Sequence, residues 1–257
     1  MNDVKKEKDE ESFLYKPEIF DLKRPGHLKK IQRLRRIGKI IYEIDDLAEQ
    51  QKELALVRKP SLLFGKDNAR MSNDPSHGPW VYYPWRFTLV HVLSKKSFQE
   101  LRSSRNQDLI TKAEQQKFAD IRVGIAGLNV GNPAALCIAL EGGGVKMKFA
   151  DNDILTVSNL NRFRAGICDL GINKAVLSAR QVYEVNPYAS IQVFPHGLDM
   201  TNIKNFLLKP KIDVLIEEMD NLSLKITVRE LARAHRIPTL MVTGNDANVI
   251  LDIERFD

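Results

Sequence analysis

From Ile121 onward the chain alternates short apolar runs with stretches of helical composition, and no other feature restricts its fold as much. IRVGIA ends at Gly127, Val130 to Leu140 reads as a helix, and VKMKFA is a second apolar run closed by Asp151. Strand, glycine turn, helix, strand is a βαβ unit. The pattern continues with a helix near Lys174 to Val185, a strand at IQVF, a helix near Asn202 to Leu208, a strand at IDVLIE, a helix from Leu222 to Ala234 and a strand at PTLMVT. Such alternation predicts an α/β fold, a doubly wound, mostly parallel, Rossmann-like sheet with helices on both faces.

The segment ahead of it follows different rules. Residues 1–20 are polar and charge-mixed and are expected to form a loose arm. Residues 21–97 are expected to form an N-terminal extension with helical and short β structure. Leu28, Ile31, Leu34, Ile37, Ile41, Ile44 and Leu47 recur at spacings of three or four, which predicts one amphipathic helix running to about Lys52. KPSLLFGKDNARMSNDPSHGP then reads as a long loop, and WVYYPWRFTLVHVL as a strand or hairpin interrupted by Pro84. KKSFQELRSSRNQDLITKAEQQKFAD returns to helical spacing, with Thr111 and Glu114 placed as a capping box.

The net charge of +6 is unevenly spread, with Lys23, Arg24, Lys29, Lys30, Arg33, Arg35, Arg36 and Lys39 in one short segment. We read this cluster as the solvated face of the amphipathic helix. Nucleic-acid binding would interleave aromatics with the cations, and Tyr42 alone does so here, so no nucleic-acid partner is expected. No apolar run approaches the roughly 18 residues of a membrane span, and the start lacks the apolar core of a signal peptide, so the expected compartment is the cytoplasm. Cys137 and Cys168, without any C-x-x-C, argue against a disulfide framework and against zinc.

Gly127-Leu-Asn-Val-Gly131 follows the first strand and opens a helix, where free N–H groups and the helix dipole favour phosphate. Gly127 and Gly131 permit close backbone approach, and Asn129, standing where a further glycine is usual, can donate to an oxygen. Asp151 lies 24 positions after Gly127, near the spacing at which a carboxylate accepts ribose hydroxyls. Ser158-Asn-Leu-Asn-Arg162 and Gly171-Ile-Asn-Lys174 add cations suited to a triphosphate, and Glu217-Glu-Met-Asp220-Asn221 places carboxylates at the same sheet edge, suited to Mg²⁺ between phosphate oxygens.

GLNVGNPAAL, ADNDILTVSNLNRF, DLGINKA and MDNLSLK, in that order, resemble the superfamily of ThiF, MoeB and the ubiquitin-activating enzymes over about Phe98 to Asp257. The spelling is similar to bacterial ThiF-type proteins, some of which are fused to a nitroreductase-like domain. The resemblance implies that residues 98–257 form an adenylate-forming nucleotide-binding domain, expected to be truncated at its C-terminal end. It implies ATP and Mg²⁺ as cofactors, a homodimer, and a partner that is the C-terminus of a ubiquitin-like or sulfur-carrier protein or of a peptide. It also assigns roles: Asp151 binds ribose, Asn159 and Arg162 contact phosphates, Lys174 stabilises charge on them, and Asp220 binds Mg²⁺. Asp153 is grouped with the nucleotide-binding residues. Arg105, in SRNQD, is implied to reach the partner subunit's active site.

Those roles suit the chemistry, because a carboxylate attacking the α-phosphorus of ATP builds negative charge that prepositioned cations stabilise. The sequence departs from the family at Asn129, and at Lys225 where arginine is usual. An adenylyltransferase is therefore the leading expectation. The alternatives are a non-catalytic nucleotide-binding dimerisation module and, third, an NAD-dependent oxidoreductase.

Overall fold

The computed structural model describes residues 14–63, 78–245 and 248–256. The chain divides into two compact units, one of residues 16–112 and one of 1–15 with 113–257.

The first unit carries β1 (Glu18–Phe20), α1 (His27–Arg36), β2 (Tyr42–Asp45), α2 (Leu47–Arg58), β3 (Trp80–Tyr83), β4 (Thr88–His91) and α3 (Lys95–Arg102). Its four strands are ordered β1-β3-β4-β2, with β2 parallel to β4 and the other pairs antiparallel. Ile31 of α1 packs with Phe20, Tyr82 and Leu89. The single long helix expected to about Lys52 is instead two helices separated by a strand. Gly38 ends α1 with φ at +70°, Gly38 N–H donates to Arg35 O, and Lys39 N–H donates to Leu34 O. This is a Schellman stop, which satisfies the last carbonyls and turns the chain out of the helix. Of the residues expected to form a loose arm, Glu18–Phe20 instead pairs with β3, and residues 1–13 lie outside those described. Of the expected long loop, Pro60–Leu63 is a 3₁₀ turn and residues 64–77 lie outside those described.

The second unit carries β5 (Arg122–Ala126), α5 (Leu128–Leu140), β6 (Lys146–Ala150), α6 (Lys174–Val185), β7 (Ser190–Phe194), α7 (Ile203–Leu208), β8 (Val214–Glu217), α8 (Leu222–Ala234), β9 (Thr239–Asn245) and β10 (Asn248–Glu254). Helix α4 (Lys112–Asp120) leads into it. The six strands are ordered β10-β9-β8-β5-β6-β7, parallel except for β10. This is the expected doubly wound sheet. The chain leaves β5 toward β6 and β7, then returns to β8 on the other side of β5, so the switch point lies between β5 and β8.

Parallel strands buried on both faces read as continuous apolar runs, and Val123, Ile125, Phe149 and Leu215 are fully buried. Lys148 is an exception in mid-strand. Its Nζ donates to Asn205 O at 3.2 Å and Phe206 O at 2.7 Å, which satisfies carbonyls of α7. Burial, with a smaller contribution from Arg122, lowers the Lys148 pKa to about 8. Among the described residues no helix is long and apolar enough to cross a membrane.

Candidate active site

The loops that follow β5, β6 and β8 meet at the C-terminal edge of the second unit's sheet, where a doubly wound fold presents its ligand crevice. Gly127 ends β5 with φ at +87°, and a Cβ there would sit 2.4 Å from Glu218 O. Only glycine lets the loop after β5 pass so close to the loop after β8. Gly131 serves packing in a similar way, because a Cβ on it would lie 2.5 Å from Ile125 Cγ2. Each of these glycines thus permits a close approach within the protein itself.

Asp151 is buried, and its carboxylate accepts from Leu128 N–H at 2.6 Å and Asp153 N–H at 2.8 Å. Burial raises its pKa, and the two N–H donors and Lys174 oppose that rise. The first N–H of α5, expected to face a phosphate, thus holds a protein carboxylate. Each carboxylate oxygen still has acceptor capacity for a hydroxyl.

Lys174 opens α6 with 3% of its surface exposed, and its Nζ donates to Asp153 Oδ2 at 2.9 Å. Its N–H donates to Asp153 O at 2.9 Å, so backbone and side chain of the two residues are joined twice. Asn159 is buried, and its Oδ1 accepts from Thr156 N–H at 3.1 Å and Thr156 Oγ1 at 3.0 Å. This closes a capping box on the 3₁₀ turn Val157–Asn159. Arg162 is exposed, and its Nη1 donates to Asn161 Oδ1 at 3.0 Å. With the Asn129 amide turned so that its oxygen faces the guanidinium, that oxygen accepts from Arg162 Nε at 2.7 Å and Nη2 at 2.9 Å. Asn129 thus accepts from the neighbouring cation, which leaves its NH₂ for another acceptor.

Past β8 the three carboxylates have separate fates. Glu217 is fully buried, with Oε1 accepting from Met219 N–H at 2.9 Å and Oε2 lying 3.3 Å from Lys225 Nζ and 3.5 Å from Arg229 Nε. Arg229 also donates to Asp252 at 2.8 Å and Glu254 at 2.7 Å on β10. Burial lowers the Arg229 pKa, yet Asp252, Glu254 and Glu217 together hold it above its ordinary value. Glu218 accepts from Val242 N–H at 2.7 Å, and burial raises its pKa. Asp220 is exposed and makes no hydrogen bond or ion pair among the described residues. The shared carboxylate cluster expected here is therefore reduced to Asp220. No group of three or more metal-ligating side chains occurs among the described residues. Arg105 lies exposed in the 3₁₀ turn Ser104–Asn106 of the first unit.

Two buried asparagines at this edge were not singled out from the sequence. Asn132 donates to Ser178 Oγ at 2.9 Å and Gln181 Oε1 at 2.8 Å, and accepts from Arg164 N–H at 3.0 Å. Asn173 caps α6 by accepting from Ala175 and Val176 N–H, while its amide donates to three carbonyls. An asparagine directly before a helical run is a legible cap signal.

Comparison with known proteins turns this geometry into a family assignment. The sequence model of the ThiF family matches residues 102–249. The chain belongs to the ThiF family. It is 39% identical over 178 residues to the uncharacterized protein MT1398 of Mycobacterium tuberculosis (strain CDC 1551 / Oshkosh), covering 69% of this chain and 24% of that protein. It is 34% identical over 100 residues to a probable molybdopterin-synthase adenylyltransferase of Porphyra purpurea, covering 38% of this chain and 25% of that one. The chain thus spans about a quarter of the length of these curated relatives. In fold it is similar to the E. coli tRNA N6-threonylcarbamoyladenosine dehydratase TcdA, with a TM-score of 0.54 at 24% identity, covering 59% of this chain and 61% of that one. PaaA gives a TM-score of 0.51 at 20% identity, covering 62% and 53%. These likenesses, with the ThiF-family match, establish the mixed α/β architecture.

Proposed function

We propose that this ThiF-family chain is an ATP- and Mg²⁺-dependent adenylyltransferase that activates the C-terminal carboxylate of a ubiquitin-like or sulfur-carrier protein or of a peptide. The observation that carries the reading is the continuous run of contacts from Arg162 through Asn129 and Leu128 to Asp151, and from Asp153 to Lys174, at the switch-point edge of the sheet. In that run Asp151 offers an acceptor for ribose, and Arg162 at one end and Lys174 at the other offer cations for phosphates. The TcdA structures, which include complexes with AMP and with ATP, and the adenylyltransferase relative support the choice of nucleotide.

In the reaction an oxygen of the acceptor carboxylate bonds to the α-phosphorus, and the bond from that phosphorus to the bridging oxygen breaks. Pyrophosphate leaves with the electron pair, and no protein base is required. Asp151 holds the ribose, Arg162 and Lys174 face the charge that grows on phosphoryl oxygens, and Asn159 fixes the turn that carries Arg162, whose N–H it accepts at its carbonyl. Asp220 fits Mg²⁺ brought in by the nucleotide, because that ion accepts a single protein carboxylate alongside phosphate oxygens, whereas Glu217 and Glu218 are already committed. When bound, the ion neutralises phosphate charge. The reading includes a homodimer in which Arg105 completes the partner subunit's site.

A second reading, a non-catalytic nucleotide-binding module, is favoured by the engagement of both cations within the protein, Lys174 with Asp153 and Arg162 with Asn129. Thermal stabilisation by ATP, AMP and NAD side by side separates nucleotide reading from dinucleotide reading, since a ligand of the folded state raises the midpoint with concentration. ATP and AMP should stabilise and NAD should not. Stabilisation by NAD alone would overturn the proposal. Exchange of pyrophosphate into ATP with carboxyl-terminal peptides then separates catalysis from binding.

A further inference from the structure

Asn173 stands where the turn after β6, which carries Asp151 and Asp153, meets the start of α6, which carries Lys174, and both ends of its side chain are engaged there. Its Oδ1 accepts from Ala175 and Val176 N–H, each at 3.1 Å, which caps the helix that Lys174 opens. Its Nδ2 donates to Asp151 O at 3.0 Å, Asp153 O at 3.2 Å and Pro195 O at 3.0 Å. The residue is 9% exposed. One amide therefore ties the turn after β6, the segment after β7 and the start of α6 to a common point.

We propose that Asn173 is a positioning residue that sets where Lys174 and Asp153 stand toward the nucleotide phosphates, a role that rests on the nucleotide reading above. The geometry divides the side chain into two separable jobs. An N-cap needs only an oxygen acceptor, and threonine or serine supplies one. The three carbonyls need a donor at Nδ2, and neither those residues nor aspartate reproduces it. If capping were the whole role, threonine would serve nearly as well as asparagine. The clamp on Asp151 O and Asp153 O is the part that reaches the site. Lys174 follows the Asp153 backbone through its own N–H and meets the Asp153 carboxylate through Nζ. When the Asp151–Asp153 turn loosens, the ammonium loses its reference point.

The test compares the wild type with Asn173→Thr, and with Asn173→Asp should the threonine variant fail to fold. Hydrogen exchange without ligand reports the clamp directly. In the variant the amides of Asp153 and Lys174 should exchange faster, while those of Ala175 and Val176 keep their protection. ATP affinity, measured by calorimetry well below the melting temperature, should fall about tenfold, the scale of one lost hydrogen-bonded contact. In a Lys174→Met background the same change should cost less than twofold, because its effect passes through Lys174. Equal exchange of the turn in wild type and variant would overturn the clamp. Unchanged ATP affinity, or an equal loss in both backgrounds, would overturn the positioning role while leaving the nucleotide reading intact. A wild type that binds no ATP would remove that reading, and the positioning role with it.

Discussion

Replacing Arg229 by Met strands a charge. Glu217 is fully buried, and its Oε2 has two cationic neighbours, Lys225 Nζ at 3.3 Å and Arg229 Nε at 3.5 Å, with no hydrogen bond to either. Removing one partner of a buried pair costs about 3–5 kcal/mol, since the remaining charge stays desolvated. Lys225 remains, so the low end, about 3 kcal/mol, applies here. Arg229 also loses Asp252 and Glu254, whose side chains are 38% and 30% exposed. Such partly exposed pairs add about 0.2–1 kcal/mol each, which brings the total to about 4 kcal/mol. Adding Glu217→Gln to Arg229→Met should return about 2 kcal/mol, because the stranded charge is gone and the Met219 N–H keeps an acceptor. Glu217→Gln alone should cost less than Arg229→Met alone, as Arg229 keeps its β10 partners. Tryptophan fluorescence is the wrong probe, because Trp80 and Trp85 both belong to the first unit. Native-state hydrogen exchange at core amides of β5 and β8 reads the opening free energy of the second unit itself. An Arg229→Met variant within 1 kcal/mol of wild type, or one that Glu217→Gln fails to improve, would show that this carboxylate is not held by the arginine.

Asp151→Ala should weaken AMP and ATP alike, by about 1–3 kcal/mol on calorimetry, since both carry the ribose, and unchanged AMP affinity in a folded variant would remove the assignment. Asp220→Asn should leave AMP binding nearly intact and abolish Mg²⁺-dependent exchange of pyrophosphate into ATP, because AMP lacks the phosphates that the metal bridges. Lys148, with a pKa of about 8 in the fold against 10.5 for an ordinary lysine, binds fewer protons folded than unfolded between those values. Stability from this residue should therefore rise with pH across that window, and the urea midpoint of the wild type should rise relative to that of Lys148→Met from pH 7.5 to pH 10. Co-refolding Arg105→Ala with Asp220→Ala chains should recover about a quarter of wild-type exchange activity if Arg105 serves the neighbouring site, and none if it serves its own.

The second unit was legible because its strands are buried on both faces, so IRVGIA and VKMKFA show as mostly apolar runs, broken only at Arg122, Lys146 and Lys148, and two of its helices start at readable caps. Helices α6 and α8 occupy the expected residues, and Asn173 and Asn221 cap them with their side chains. The first unit was harder to read because an apolar residue every three or four positions also fits a helix, a turn and a short strand in succession. Gly38 in RRIGKI was the stop signal that separated them. In the site, residue types were readable and pairings were not. Nothing in the spacing says that Asn129 faces Arg162, or that Glu217 turns inward to Lys225 and Arg229 while Asp220 turns outward.

The crowding of polar residues in FADNDILTVSNLNRF has a cause that precedes any ligand. Where parallel strands end, the chain leaves the ladder while still packed against helices, and buried backbone groups there must find other partners. Asp151 takes Leu128 and Asp153 N–H, Asn159 takes Thr156 N–H, and Asn173 takes three carbonyls. Short polar side chains replace the missing ladder bonds at each point. Most of the polarity that marks this edge as a site is thus consumed in building it. What remains for a ligand is a small set: the second lone pairs of Asp151, the guanidinium of Arg162, the ammonium of Lys174 opposite Asp153, and the exposed carboxylate of Asp220. Those four groups, rather than the density of the motif, bear the functional reading, so substitutions at Asn159 or Asn173 should act through geometry, while those at Arg162, Lys174 and Asp220 should act on the nucleotide.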